Sequence, residues 1–204
     1  MWHHAPRVTA EFGYLRLFGH AVKATLARVI YAWNRLARHR NHVFVCEPLT
    51  SGPPVPENLT IMRCGANEDI PEVLRLQLTS VHDDLWITDV VWEQRHGAVL
   101  WLALVDAKYA ASSMSRRGKH FARCFVPLDD DDVVIFRNWV APAFRGRGLC
   151  PALMSRILCD EVLPGQRAFA DCRVYNRSSI RSIEKAGFRR IATAKPLLRE
   201  EVVK

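Results

Sequence analysis

The feature that most constrains the fold is a strand, a glycine-bearing turn, a helix and a second strand in direct succession. Val133–Val140 is a β-rich run, and Arg145-Gly146-Arg147-Gly148 follows it. Leu149, Leu153 and Ile157 then recur at helical spacing, in a helix read to Glu161. Pro164-Gly165 breaks that helix, Phe169–Tyr175 reads as the next strand, and Ser178–Ala186 as a helix stopped at Gly187. A helix returns the chain to the end of the sheet from which it left, so the two strands it joins lie parallel, with a right-handed crossover.

Upstream, the signals are those of hairpins. Leu59–Arg63 reads as a short strand. A helix opens over Ala66–Pro71, with Asn67 as its cap and Val73, Leu74, Leu76 and Leu78 as its apolar content. A second helix spans about Trp86–His96 and ends near Gly97. Val99–Val105, the turn Asp106-Ala107-Lys108 and Tyr109–Ser115 form a hairpin, and Phe121–Val126 reads as one more strand. The four aspartates Asp129–Asp132 read as a solvated turn without chemistry. Hairpins followed by one crossover place the chain in the α/β class, with a mixed, mostly antiparallel sheet carrying one parallel βαβ unit.

Four prolines and a glycine between Pro48 and Pro56 sustain neither helix nor central strand. The domain boundary falls there, giving an extension over residues 1–55 and a domain over 56–204 that is expected to fold alone. His42–Cys46 reads as a short strand on the extension side. Of the net charge of +8, the extension holds +5: seven Lys/Arg against Glu11 and Glu47. Phe12, Leu15, Phe18, Val22, Leu26, Val29, Trp33 and Leu36 line one face of an N-terminal helical arm over residues 9–38. Two readings of that arm stay open: docking on its own domain or on a second subunit, as in a homodimer, or lying on an anionic membrane surface. It carries no nucleic-acid reading motif. Six scattered cysteines without C-x-x-C or His spacing argue against a metal site and for a reducing compartment. With no signal-peptide pattern or apolar span, the expected location is cytoplasmic, at most peripheral at the inner face of the membrane.

The turn Arg145–Gly148 keeps side chains small where another group must approach the backbone. Successive N–H groups at a helix N-terminus, flanked by two arginines, suit a pyrophosphate. The pattern is neither a P-loop nor a dinucleotide-binding fingerprint.

Arg145-Gly-Arg-Gly-Leu-Cys150 resembles the acyl-CoA signature of the GNAT superfamily of N-acyltransferases, Arg/Gln-x-x-Gly-x-Gly/Ala, and is preceded by a Val-x-Pro (Val140, Pro142) typical of it. Asn176-Arg-Ser-Ser179 through Lys185-Ala-Gly187-Phe188 is similar to the family's second motif. The resemblance covers about residues 57–195. It implies that the backbone of Asn138, Trp139 and Val140 pairs with pantetheine. It further implies that the amides of Arg145, Gly146, Arg147, Gly148, Leu149 and Cys150 hold the pyrophosphate of acetyl-CoA or another acyl-CoA, and that Asn176 and Ser179 line the pantetheine side. For Asn176 a helix N-cap is the alternative, compatible with that role.

Two departures stand out: Cys150-Pro151 replaces the final small residue of the first motif, and Ile183 occupies the position where many members carry a tyrosine acid. Tyr175 is the nearest replacement for that acid, with packing on the cleft wall as its alternative role. Charges at the strand ends, Arg137, Asp171 and Arg173, are candidate contacts to the acceptor, or an internal ion pair. His82, Asp83 and Asp84 are candidate residues at the substrate mouth, or loop. The expected function is transfer of an acetyl or other acyl group from CoA to a primary amine of a small acceptor, anionic or an amino sugar. Long-chain transfer from CoA or acyl carrier protein, and a CoA-binding module without turnover, are the alternatives.

Overall fold

The structure, a computed structural model, describes residues 40–48, 58–65, 70–121 and 124–194. The arm over residues 9–38, most of the proline-rich run and Asn67 lie outside the described residues.

The described part is built on one seven-stranded sheet. Its strands are β1 (Asn41–Cys46), β2 (Leu59–Cys64), β3 (Ala98–Val105), β4 (Lys108–Arg117), β5 (Val133–Val140), β6 (Ala168–Arg173) and β7 (Arg189–Ala194), in spatial order β2-β3-β4-β5-β6-β1-β7. Only β5 and β6 pair in parallel; every other neighbour is antiparallel. Between β3 and β4, Asp106 and Ala107 take φ of 50° and 60°, the left-handed pair whose twist matches a two-residue hairpin.

Among the described residues, four α-helices cover the sheet: α1 (Glu72–Val81), α2 (Asp84–Arg95), α3 (Leu149–Glu161) and α4 (Arg177–Lys185). On one face α1 and α2 bury Leu74, Leu78 and Val90 against Leu100, Leu102, Tyr109 and Met114. On the other, Leu153, Met154, Ile157 and Leu158 of α3, with Ile183 of α4, pack on Phe44, Trp101, Val133 and Ile135. No helix among the described residues is long and apolar enough to cross a membrane.

Four expectations need correction. The compact unit holding the sheet begins at Arg40, not at 56. Residues 41–46 form β1, wedged between β6 and β7, with Val43 and Phe44 almost wholly buried. A central strand is thus drawn from the far side of the proline-rich run. The described residues of the expected Phe121–Val126 strand, Phe121 and residues 124–126, form no strand. β4 and β5 already pair directly, so no slot remains, and Phe121, Val126 and Leu128 instead pack on the sheet beside Val45, Val134 and Phe169. Asp132 is not solvated: it is 2% exposed, and its carboxylate pairs with Arg167 at 2.6 Å while accepting from the Asp129 amide. Finally, β7 extends the sheet beyond the second crossover helix, where the sequence reading placed no strand.

Candidate active site

The site arises because β5 and β6 pair only briefly. Parallel pairing covers Val133–Ile135 with Ala168–Ala170 and then stops. β5 next carries a bulge: Arg137 and Asn138 both stand opposite Ser113, between the pairs Met114↔Phe136 and Ser112↔Trp139. Arg137 takes φ of 54°, uncommon for a non-glycine residue, and Asn138 Oδ1 accepts from Ser113 Oγ at 2.7 Å. The bulge bends β5 away from β6 and opens a cleft of about 950 Å³. Leu149, Cys150 and Ile183 line it from the α3–α4 face. Phe136 and Trp139 line it from the opposite face. The opening therefore passes through the sheet.

At one end the cleft meets the turn that starts α3. Gly146 and Gly148 have φ of 79° and 76°, and Gly148 caps α3 without any side-chain hydrogen bond. The first amides of the helix are thus without the side-chain acceptor that usually satisfies one of them. A Cβ built on either glycine meets nothing within 4 Å, so the space over the turn is open. Arg145, Arg181 and Lys185 line this cleft too. Glycines, uncapped amides and cations together suit a diphosphate. The sequence reading assigned Lys185 only to a helix end and did not single out Arg181; both are legible as basic residues four apart on a helix beside the cleft.

Most of the residues singled out from sequence converge here. Arg137, Asn138, Trp139, Val140, Arg145, Gly146, Gly148, Leu149, Cys150, Asp171, Arg173, Asn176 and Ser179 all line the cleft. Two do not. Arg147 turns out over the Phe144 ring, 5.2 Å from its centroid. Tyr175 lies in the turn after β6, 61% exposed and outside the cleft lining. Asn176 caps α4, accepting from the Ser179 amide at 3.2 Å. Burial pushes the Cys150 thiol up to about 11, against a hydrogen bond from Ser182, so it stays protonated and unreactive at neutral pH. Asp83 serves as the N-cap of α2, and Asp84 occupies its first turn.

The charges at the strand ends are not equivalent. Arg137 bonds Asp89 at 3.0 Å and approaches Glu93 at 3.7 Å, both on α2, so its charge is already met. Asp171 is held by Asn41, whose Nδ2 donates to its Oδ2 at 2.5 Å, while Arg173 acts on it only through its charge. Burial raises the Asp171 carboxyl, and these two partners oppose that shift. On the same side of the sheet as Trp139, the His82 ring stacks on Trp86 at 3.7 Å and lies 4.4 Å from Trp139. Its Nε2 is 2.9 Å from the Tyr109 hydroxyl, which donates to Ser112 Oγ. Burial lowers the His82 pKa, against the opposing charge of Asp83, and so favours the neutral imidazole. The loop reading of His82 missed this cluster because Tyr109 and Ser112 reach it from a different strand.

Solved structures share this architecture. A GNAT-family protein from Novosphingobium aromaticivorans is 16% identical, with 76% of this chain and 61% of that chain covered and a TM-score of 0.52. A tandem GNAT protein from the clavulanic acid biosynthesis pathway is 15% identical, covers 78% and 55%, and scores 0.52. AAC(6')-Iy, in complex with the bisubstrate analogue CoA-S-monomethyl-acetylneamine, is 15% identical, covers 69% and 95%, and scores 0.50. This chain thus spans less than two thirds of the first two. At such identities the likeness speaks for the fold. No curated protein matches the chain by sequence. Residues 67–188, more than half of the chain, match the model of the acetyltransferase (GNAT) family, and the chain belongs to that family.

Proposed function

We propose that this chain is an N-acyltransferase that moves an acetyl group from acetyl-CoA to a primary amine of a small acceptor. The observation that carries the reading is the uncapped Gly146–Gly148 turn at one end of a cleft that passes through the sheet. The diphosphate of CoA would accept from the first amides of α3, with Arg145, Arg181 and Lys185 neutralising its charge. Pantetheine would run along the free edge of β5 from Val140 to Asn138, which the splay leaves without a strand partner on the β6 side. The thioester then reaches the gap between the strands, where an amine can approach from the face of Trp139. The AAC(6')-Iy ligand, which joins CoA to acetylneamine, supports a shared cleft for the two substrates.

The chemistry asks for an unprotonated amine, a polarised carbonyl and a proton for the thiolate. Ile183 supplies no acid, and Tyr175 lies outside the cleft lining. A thiol has an ordinary pKa of about 8.5, so its thiolate leaves at neutral pH without a strong acid. With Arg137 engaged by α2, the case for an anionic acceptor rests on Arg173, and an amino sugar is the other candidate.

The test is thiol release from acetyl-CoA across a panel of amines, including glucosamine, ethanolamine and glycine, with palmitoyl-CoA in parallel. Amine-dependent thiol release from acetyl-CoA is expected. CoA binding by calorimetry with no release under any amine would overturn the enzymatic reading.

A further inference from the structure

Asn41 is 8% exposed, lines the cleft, and carries a buried Oδ1 with no hydrogen-bond partner among the described residues. Its orientation is not free. An ionised Asp171 carboxylate only accepts, so the Asn41 amide must present its NH2 group to it, as it does at 2.5 Å. That fixes Oδ1 on the other side of the amide. Buried acceptors are nearly always paired, so an orphan beside a carboxylate in a ligand cleft marks the place of a missing donor.

Its position follows from the sheet. Asn41 pairs with Arg173 across β1 and β6, and Asp171 is the diagonal neighbour on the same face. The alternation along β6 turns Ala170 and Cys172 toward α3 and Phe169 toward the opposite side. Asp171 therefore faces away from the α3–α4 side that holds the phosphate turn. It stands one residue beyond the last β5–β6 pair, Ile135↔Ala170, where the strands part. The two oxygens thus sit at the gap, on the face from which an acceptor would enter.

We propose that the Asp171 carboxylate and Asn41 Oδ1 form the subsite for the acceptor's amino group, with Asp171 taking its proton. Two acceptor oxygens, one of them charged, suit a donor-rich ammonium and disfavour a carboxylate there. The inference rests on the acyl-CoA reading of this cleft. In the step, the bound ammonium first gives one proton to Asp171, and the lone pair so freed attacks the thioester carbonyl carbon. The C–N bond forms and the C–S bond breaks. The second proton leaving nitrogen passes to the departing sulfur, and Asp171 returns its own to solvent. The products are an amide and CoA thiol. The charged and titratable groups about Asp171 are Arg173 and Cys172 on its own strand, Cys124 from the segment before β5, and Arg137 across the cleft, the last already paired with α2. Asn41 also bonds the carboxylate and favours its ionised form.

The full chain tests this with methylamine, the smallest primary amine, both as acceptor and as an ion soaked with CoA into crystals. The methylammonium nitrogen is expected within hydrogen-bond distance of Asp171 and of Asn41 Oδ1. Asp171→Asn should lower kcat/KM for methylamine by about 100-fold, the scale of one general base, with acetyl-CoA affinity by calorimetry unchanged. Asn41→Ala should lower it by about tenfold, the worth of one lost contact, and move the acid limb of the pH profile upward, because the Asp171 carboxylate loses a donor. A nitrogen seated elsewhere, as against His82, overturns the proposal. So does wild-type kcat/KM in D171N, or an unmoved acid limb in N41A. Should D171N fail to fold, the wild-type crystal and N41A decide. Failure of the wild type to bind acetyl-CoA overturns the acyl-CoA reading instead, and the soaked crystal still judges the amine contact.

Discussion

Replacing Phe44 by alanine tests whether β1 belongs to the fold of the domain or merely precedes it. Phe44 is 0% exposed and sits among Trp101, Val133, Ile135 and the apolar face of α3. Truncating a buried phenylalanine to alanine costs about 3–5 kcal/mol, transfer and cavity terms together. That is a large part of the roughly 5–15 kcal/mol that separates a folded domain from its unfolded chain. For a domain of this size each kcal/mol moves the melting temperature by about 2–4 °C, so F44A should melt roughly 6–20 °C below the wild type. Val73, 68% exposed on α1, is the control, and V73A should stay within about 2 °C. Scanning calorimetry or thermal circular dichroism reads both. An F44A melt within about 2 °C of the wild type would show that residues 41–46 are dispensable and that the domain begins after the proline-rich run.

Gly148→Asp should keep the fold, since open space surrounds its Cβ and aspartate tolerates left-handed φ, yet weaken CoA binding at least about 100-fold by calorimetry, because a carboxylate then occupies the anion turn. Tyr175→Phe should leave kcat within about twofold of the wild type, and a drop on the scale of a lost acid, about 100-fold, would bring its hydroxyl back into the mechanism. Asp171→Asn should raise the melting temperature at neutral pH while lowering activity. Burial raises the folded-state carboxyl above its unfolded value, so Asp171 favours the folded state only at acid pH. Its contribution declines as pH rises from the unfolded value, near 3.9, through the raised folded one. A stability gain for D171N that is equal at pH 3 and pH 7 would refute this.

The crossover was legible because each of its parts is local. An apolar run, two glycines and an i+4 stripe each declare themselves within a few residues, and the handedness follows from general chirality. The hairpin at Asp106-Ala107 was legible for the same reason. What stayed hidden depended on partners distant in sequence. Asp132 reads as one of four solvated aspartates until Arg167 arrives from the far side of α3. β7 begins with two arginines and is largely exposed, which hides its strand character; the same charges discourage further pairing along an open edge. Phe121–Val126 has strand composition, but composition cannot show that β4 and β5 already occupy each other's edges.

The same distinction explains the division within the site. Every cofactor-side candidate but Arg147 lines the cleft, because the turn and helix that would hold a diphosphate are contiguous in the chain. The proposed acceptor side would draw instead on β1, β6, the bulge of β5 and the loop at His82, segments whose proximity only the sheet order creates. β1 has two tasks that pull against each other. Its apolar residues Val43, Phe44 and Val45 are buried in the sheet, whereas Asn41, at its first position, keeps an acceptor unpaired in the cleft. An apolar residue at 41 would remove the orphaned oxygen but take from the buried Asp171 carboxylate the donor that Asn41 supplies. A strand that served packing alone would carry neither. Retaining both, where β5 and β6 part, is a local sacrifice of stability of the kind that ligand sites make.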